Sequence, residues 1–415
     1  MITLTMNDEK RLEVIQRVFR GELTVVEAAL VLGVSERQCY RVKARVTKVG
    51  AKGVVHANRG RPCKHKIKEK TVKRIVELAQ GKYKDFNDHH LSEKLQNEEK
   101  ITLSREKLRQ VLRAHGIASP RKRRGIKHRS RRERRAAEGM MLQVDGSPHD
   151  WLQGRGPRLC LIGAIDDATG KVMGAFFQEA ESSWAYFKLF FEIFKQHGLP
   201  QSIYSDCHSA FWTDRESTLE EQLINKRPTT EVGRGLEELG VTLILAGSPQ
   251  AKGRIERLWG TFQDRLVSEL RLARAKTQQQ AQTVLERYLP VHNRRFSKPA
   301  ANALPAWRKV NSLQIEQALC FKEQRTVAKD NTITFGGTLF QIPKKSPFRS
   351  HANKRIDVHV LLDGAVELFY QNEKIASFDS KTTHAQGLYR TNGKREGFRY
   401  GPLSVLKTQS HELSP

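Results

Sequence analysis

A chain of 415 residues exceeds one typical domain, so roughly two to four are expected. Its 73 Lys and Arg against 45 Asp and Glu give a net charge of +28, which points to a polyanionic partner and away from a basic one. No run approaches the roughly 18 apolar residues of a membrane span, Met1–Met6 lacks a signal-peptide core, and the five cysteines form no CxxC pair. The expectation is a cytoplasmic, nucleic-acid-associated protein with no membrane partner and neither a disulfide framework nor a zinc site.

The charge is uneven: residues 1–139 hold 36 Lys and Arg against 16 Asp and Glu, leaving +20 of the +28 there. Residues 1–56 are expected to form a helix-turn-helix DNA-binding domain. Leu12, Ile15, Val18 and Phe19 make one helix face closed by Gly21. The run Thr24 to Ser35 then supplies a small Ala29 where helices cross, a turn at Gly33 and a cap at Ser35. The following helix offers Arg37, Gln38, Arg41 and Lys43 to base edges or phosphates. Arg59-Gly60-Arg61-Pro62 is a short basic segment suited either to the minor groove, with Arg61 inserted, or to a solvated hinge.

Residues 57–118 are expected to form a second helical DNA-binding domain. Its third helix begins at Ser104 and carries Arg105, Lys107, Arg109 and Arg113. A basic linker over 119–138 follows, in which Arg121 to Arg135 hold ten basic residues in fifteen. Such a block cannot bury itself, is expected to be disordered without a partner, and suits phosphates.

Residues 139–297 read as an α/β core with a mixed sheet. Met141–Val144, Leu159–Ile165 and Val172–Gln178 suggest an antiparallel meander, and the remainder alternates strand and helix. The stripe Trp184, Phe187, Phe190, Phe191 and Phe194 reads as core packing. Asp166 and Asp167 read as turn residues. Asp145, followed by a Gly146 turn, and Asp206 each end a short apolar strand. Glu256 lies about one turn into a helix that follows Val241–Leu245, which reads as a buried strand, with Lys252, Glu256 and Gln263 on one helical face. Thr213 to Gly235, polar and charged, reads as a surface insertion. A connector over 298–324 leads to alternating strands over 325–380, expected to close a small β-barrel, and a flexible tail over 381–415.

Gln143-Val144-Asp145, Tyr204-Ser205-Asp206 and Ser248-Pro249-Gln250-Ala251-Lys252-Gly253-Arg254-Ile255-Glu256 resemble the catalytic triad of DDE transposases. More closely, residues 139–297 resemble bacterial insertion-sequence transposases with a retroviral-integrase-like, RNase H-like core. The chain departs from many relatives in the 50 positions between Asp206 and Glu256, and in Cys207-His208 where Asn-Gly is common. The resemblance implies that Asp145, Asp206 and Glu256 are catalytic ligands for two Mg²⁺ (or Mn²⁺) ions, hard cations that favour such oxygens. Lys252 and Arg254 are then expected to hold DNA phosphates. The implied activity is cleavage at element ends and transfer of the 3′ ends into target DNA. The implied partners are terminal repeats, target DNA and a homo-oligomer of at least a dimer. Two alternatives are a DNA-binding regulator with an inactive core, which should have lost a triad acid, and an RNase H-like nuclease without recombination activity.

Overall fold

The computed structural model describes residues 4–56, 58–59, 67–120, 132–223, 227–246, 252–343 and 350–379. Arg61, the block from 121 to 131, the motif head Ser248–Ala251 and the tail 381–415 lie outside the described residues, as do the expectations attached to them. The chain divides into two compact units, residues 1–74 and 75–415.

In the first unit α1 (Met6–Phe19), α2 (Val25–Leu32) and α3 (Glu36–Val49) enclose a core of Val14, Ile15, Val18, Ala28, Ala29, Cys39, Val42, Val46 and Val54. The local chemistry is as expected. The Thr24 hydroxyl and the Glu27 carboxylate form a reciprocal capping box at the start of α2. Gly33 takes φ 61° at its end, and Ser35 caps α3 by accepting from the Gln38 N–H.

The second unit is organised by a five-stranded sheet of order β3-β2-β1-β4-β5: β1 (Leu142–His149), β2 (Leu159–Asp166), β3 (Val172–Gln178), β4 (Ser202–Ser205) and β5 (Thr242–Leu245). The pairs β1–β2 and β2–β3 are antiparallel, whereas β1–β4 and β4–β5 are parallel. This is the mixed sheet, an antiparallel meander followed by two parallel strands, expected of 139–297. One face packs against α7 (Ser183–His197) and α9 (Glu231–Glu238), with Trp184, Phe187, Phe190 and Phe194 all in that core. The other face packs against α10 (Gly253–Leu272) and α11 (Gln278–Phe296) through Ile255, Leu258, Trp259, Phe262 and Leu285.

Several boundaries differ from expectation for identifiable reasons. β1 continues through Gly146 to His149, because antiparallel pairing with β2 persists to Leu159 and Gly146 is a strand residue rather than a turn. β5 is a half-exposed edge strand, not a buried one. Only part of 213–235 is a surface insertion. The short α8 (Leu219–Leu223) precedes α9, whose Val232 and Leu236 are fully buried as the crossover between β4 and β5. Helix α11 runs through Pro290. Its Asn293 side chain accepts the Val172 N–H (2.8 Å) and donates to the Val172 carbonyl (2.9 Å), serving the open edge of β3 as a further strand would.

Two further features concern the flanking modules. The expected C-terminal barrel is not closed among the described residues. The strands β6 (Phe321–Thr326), β9 (Arg355–Val360), β10 (Val366–Tyr370) and β11 (Glu373–Phe378) form an open antiparallel sheet, and β7 (Thr332–Phe335) pairs separately with β8 (Thr338–Gln341). β6 begins inside the expected connector, just after α12 (Ser312–Ala318). Both sheets share one continuous core with α7 and α9: Phe321 packs edge-on against Phe187, centroids 5.2 Å apart. Closure is unnecessary because a face that would line a barrel is covered by helices instead.

The helices α4 (Glu69–Gln80), α5 (Asp88–Asn97) and α6 (Arg105–Ala114) appear as the sequence suggests, but α5 is docked on α10 and α11. Arg265 reaches Glu93 (2.9 Å), Glu93 also meets Arg295, and Glu269 receives His90 (2.8 Å) and Lys94 (2.8 Å). Asn87 donates to Asp264 (2.5 Å). On α6, Arg113 is tied to Asp88, while Arg105, Lys107 and Arg109 remain exposed.

Burial pushes the Glu93 and Glu269 carboxyls up, but Arg265 beside one and His90 and Lys94 beside the other outweigh it, so both lie below the usual range. A depressed carboxyl contributes stability above its unfolded value, near 4.5, and loses it as pH falls through the folded value. Thermal melting should therefore show stability falling below about pH 4.5, and Glu93→Gln with Glu269→Gln should flatten that acid limb while lowering the melting temperature at neutral pH.

Candidate active site

Alternate residues of β1 point at α10. The Ile255 N–H donates to Gln143 Oε1 (3.3 Å), Trp259 Nε1–H to Asp145 Oδ2 (3.0 Å) and Gln263 Nε2–H to Ser147 Oγ (3.3 Å). Two residues of strand advance about 6.6 Å and four residues of helix about 6.0 Å, so the two series stay in step over three rungs. Gly163, opposite Asp145 on β2, leaves the space for Trp259: a Cβ there would lie 3.0 Å from the indole.

Asp206 follows the last residue of β4, the parallel neighbour of β1. Its Oδ1 accepts the His208 N–H (3.2 Å) and fixes the turn. Lys252, at the N-cap position of α10 with its side chain 7% exposed, places its ammonium 2.6 Å from Asp145 Oδ1 and 2.9 Å from Asp206 Oδ2. Burial pushes the Lys252 ammonium pKa down, but the two carboxylates outweigh it and leave it raised. Burial likewise pushes the Asp206 carboxyl up, and Lys252 with the His208 N–H brings it below its ordinary value. The two aspartates therefore already share one cation.

Glu256 lies on the same helical stripe as Trp259 and Gln263, but it is exposed and has no hydrogen-bond or ion-pair partner among the described residues. Among those residues no three Asp, Glu, His or Cys side chains are assembled as a ready metal site. Asp145 and Asp206 are brought together; Glu256 stands beside them in sequence register and apart in contact. The donor chemistry, hard carboxylate oxygens converging on one positive charge, fits Mg²⁺ or Mn²⁺.

In the first unit Arg37 and Arg41 are exposed one turn apart on α3, with Gln38 half-buried beside them. Lys43 turns away from that face and lies over the Phe19 ring (5.5 Å). Tyr40, 59% exposed between the two arginines, belongs to the face and was not singled out from the sequence, although an aromatic among arginines was the available signal.

Asp167, read as a turn residue, is instead a fully buried anchor. Arg254 (2.6 Å) and Arg132 pair with it, the Arg135 N–H donates to it (2.9 Å), and Gln143 Nε2 donates to it (2.8 Å). Asp166 does serve the turn, accepting from the Thr169 N–H and hydroxyl (2.8 and 2.7 Å). The end of the basic block is thus docked: Arg134 also donates to the Ala168 carbonyl (2.9 Å). Arg254 carries its charge inward, with its side chain 11% exposed. Gln143, a polar residue inside an apolar strand, was the one sequence signal for this network. Arg254→Ala should lower the denaturant midpoint and leave the salt dependence of DNA binding unchanged. A flattened salt slope with intact stability would make Arg254 a DNA contact instead.

A family model described as "Winged helix-turn helix" matches residues 11–78. "Putative transposase y4bF" of Sinorhizobium fredii is 33% identical over 93% of this chain and 84% of its own length. "Transposase for insertion sequence IS1202" of Streptococcus pneumoniae is 31% identical over 70% of this chain and 69% of its own. Among solved structures, the catalytic core domain of BIV integrase aligns at 16% identity over 38% of this chain and 85% of that one, with a TM-score of 0.27. The HTLV-2 integrase catalytic core domain in complex with magnesium aligns at 17% over 37% and 87%, also with a TM-score of 0.27. Scores at that level carry no weight here. The two sequence relatives do, and on them this chain belongs to the bacterial insertion-sequence transposases.

Proposed function

We propose that the protein binds the terminal repeats of its element, cleaves phosphodiester bonds there and joins the freed 3′ ends to target DNA, acting as a DDE transposase in an assembly of at least two protomers. The observation that carries this reading is the Lys252 ammonium held between Asp145 and Asp206 at the junction of two parallel strands and α10. It marks a place where the fold concentrates negative charge and already stabilises a cation.

Asp145, Asp206 and Glu256 would hold the divalent ions, Mg²⁺ or Mn²⁺ and two in the full assignment. Such ions, when bound, neutralise charge on the attacking and departing oxygens. Glu256, exposed and unpaired, is free to swing its carboxylate toward the pair. Lys252, once its place between the aspartates is taken, has its ammonium available for a phosphate next to the scissile bond. Trp259 and Gln263 keep Asp145 and its strand fixed while this happens. The bond changes balance without a further reactant. Water attacks phosphorus and the DNA 3′ oxygen leaves with a proton; that 3′-OH then attacks a target phosphodiester, one P–O ester forming as another breaks. The exposed Arg37 and Arg41, with Gln38 and Tyr40, would read the terminal repeat, while Lys43, beside Phe19, would reach the DNA backbone.

Asp145→Asn, Asp206→Asn and Glu256→Gln should each abolish cleavage and joining of element-end DNA in Mg²⁺ while gel-shift affinity stays near the parent's. Near-parental cleavage by any one would remove that residue from the site. In the full-length protein Arg37→Ala or Arg41→Ala should cost roughly 1–3 kcal/mol of discrimination between element-end and unrelated DNA, measured as the ratio of dissociation constants at fixed salt. An unchanged ratio would move sequence reading off α3.

A further inference from the structure

Gly146 follows Asp145 and His208 lies two residues beyond Asp206, and the same side chain meets both. Glu181 sits between β3 and α7, just before the Ser182 cap. A Cβ on Gly146 would lie 2.1 Å from Glu181 Oε1, so only glycine at that strand position lets the carboxylate lie against β1. Glu181 Oε2 accepts the Tyr186 hydroxyl (2.6 Å), and Tyr186 is fully buried, which fixes the carboxylate from the core side. On the other side His208 Nε2 approaches Glu181 Oε2 to 3.9 Å. The Ala210 N–H donates to His208 Nδ1 (3.2 Å), which holds the Nε2 edge of the ring toward the glutamate. The Tyr186 ring also packs edge-on against Phe211, centroids 4.4 Å apart, closing the loop that starts at Asp206.

Resting on the assignment of Asp145 and Asp206 as cation ligands, we propose that Glu181 is a positioning residue that sets the separation of the two aspartates by tying the loop after Asp206 to the strand that carries Asp145. It acts through Gly146, Tyr186 and His208 rather than on substrate. Without it the Asp206 loop keeps its Lys252 contact but loses its stop against β1, and a cation must then order that loop on binding. Groups that orient ligands in this way typically change metal affinity 10–100-fold.

The test is calorimetric titration of the full chain with Mn²⁺, alongside its melting temperature without added ion. Asp145→Asn serves as the reference for loss of a ligand. Glu181→Ala should weaken Mn²⁺ about ten-fold and lower the ion-free melting temperature, because the buried Tyr186 hydroxyl loses its acceptor, whereas Glu181→Gln, which still accepts from Tyr186, should keep that stability and recover part of the Mn²⁺ affinity. Gly146→Ala offers an independent route, since its methyl would force the Glu181 carboxylate and Cγ away from β1. It should reproduce the weakening, and combining it with Glu181→Ala should add nothing further. Mn²⁺ affinity unchanged in Glu181→Ala while Asp145→Asn has lost it overturns the positioning role alone. Unchanged affinity in Asp145→Asn overturns the ligand assignment and the positioning role with it.

Discussion

The second unit depends on a match of periods. A strand advancing by twos and a helix advancing by fours have nearly equal steps, and β1 and α10 use that equality to join Gln143, Asp145 and Ser147 to Ile255, Trp259 and Gln263. The rungs are polar, yet they lie at the edge of an apolar interface built from Ile255, Leu258, Trp259 and Phe262. That interface supplies the adhesion and the polar rungs supply the register. A slip of one residue along β1 would turn Asp145 toward α7 and bury an unpartnered carboxylate in the aromatic core.

The first rung reaches further than the others. Gln143 spends its carbonyl on the first turn of α10 and its amide on Asp167, which in turn holds Arg254 from that same turn and Arg132 from the chain before β1. The start of α10 is therefore set by a buried charge cluster, and Lys252 is delivered to the two aspartates by the same cluster. Farther along, α10 offers Arg265 and Glu269 to α5. One helix thus carries, in sequence, the cation between the aspartates, the register of β1, and the seat of a neighbouring helical module.

Much of this was legible in the sequence because it depends on local chemistry. The Thr24, Gly33 and Ser35 signals of the first unit, the order of strands, and the place of Asp206 at a strand end follow from caps, periodicity and turns. What stayed hidden required contacts between distant residues. Asp167 has the neighbours of a turn residue, and only the approach of Arg254, 87 positions away, makes it an anchor. Gly146 looks like a turn signal until Glu181 is seen to need its missing side chain. The barrel was expected because alternating strands commonly close on themselves; among the described residues they instead pack on the apolar face that α7 and α9 offer.

That shared face has a consequence for synthesis. Phe187 meets Phe321, so the aromatic side of α7 acquires its last covering only after a further stretch of chain has been made. At about 5–20 residues per second the wait is on the order of ten seconds. During it a helix with several large apolar side chains is exposed on the ribosome, in a topology whose pairings are distant in sequence. A surface of that kind, left open while the rest of the chain is made, is one that other chains can meet.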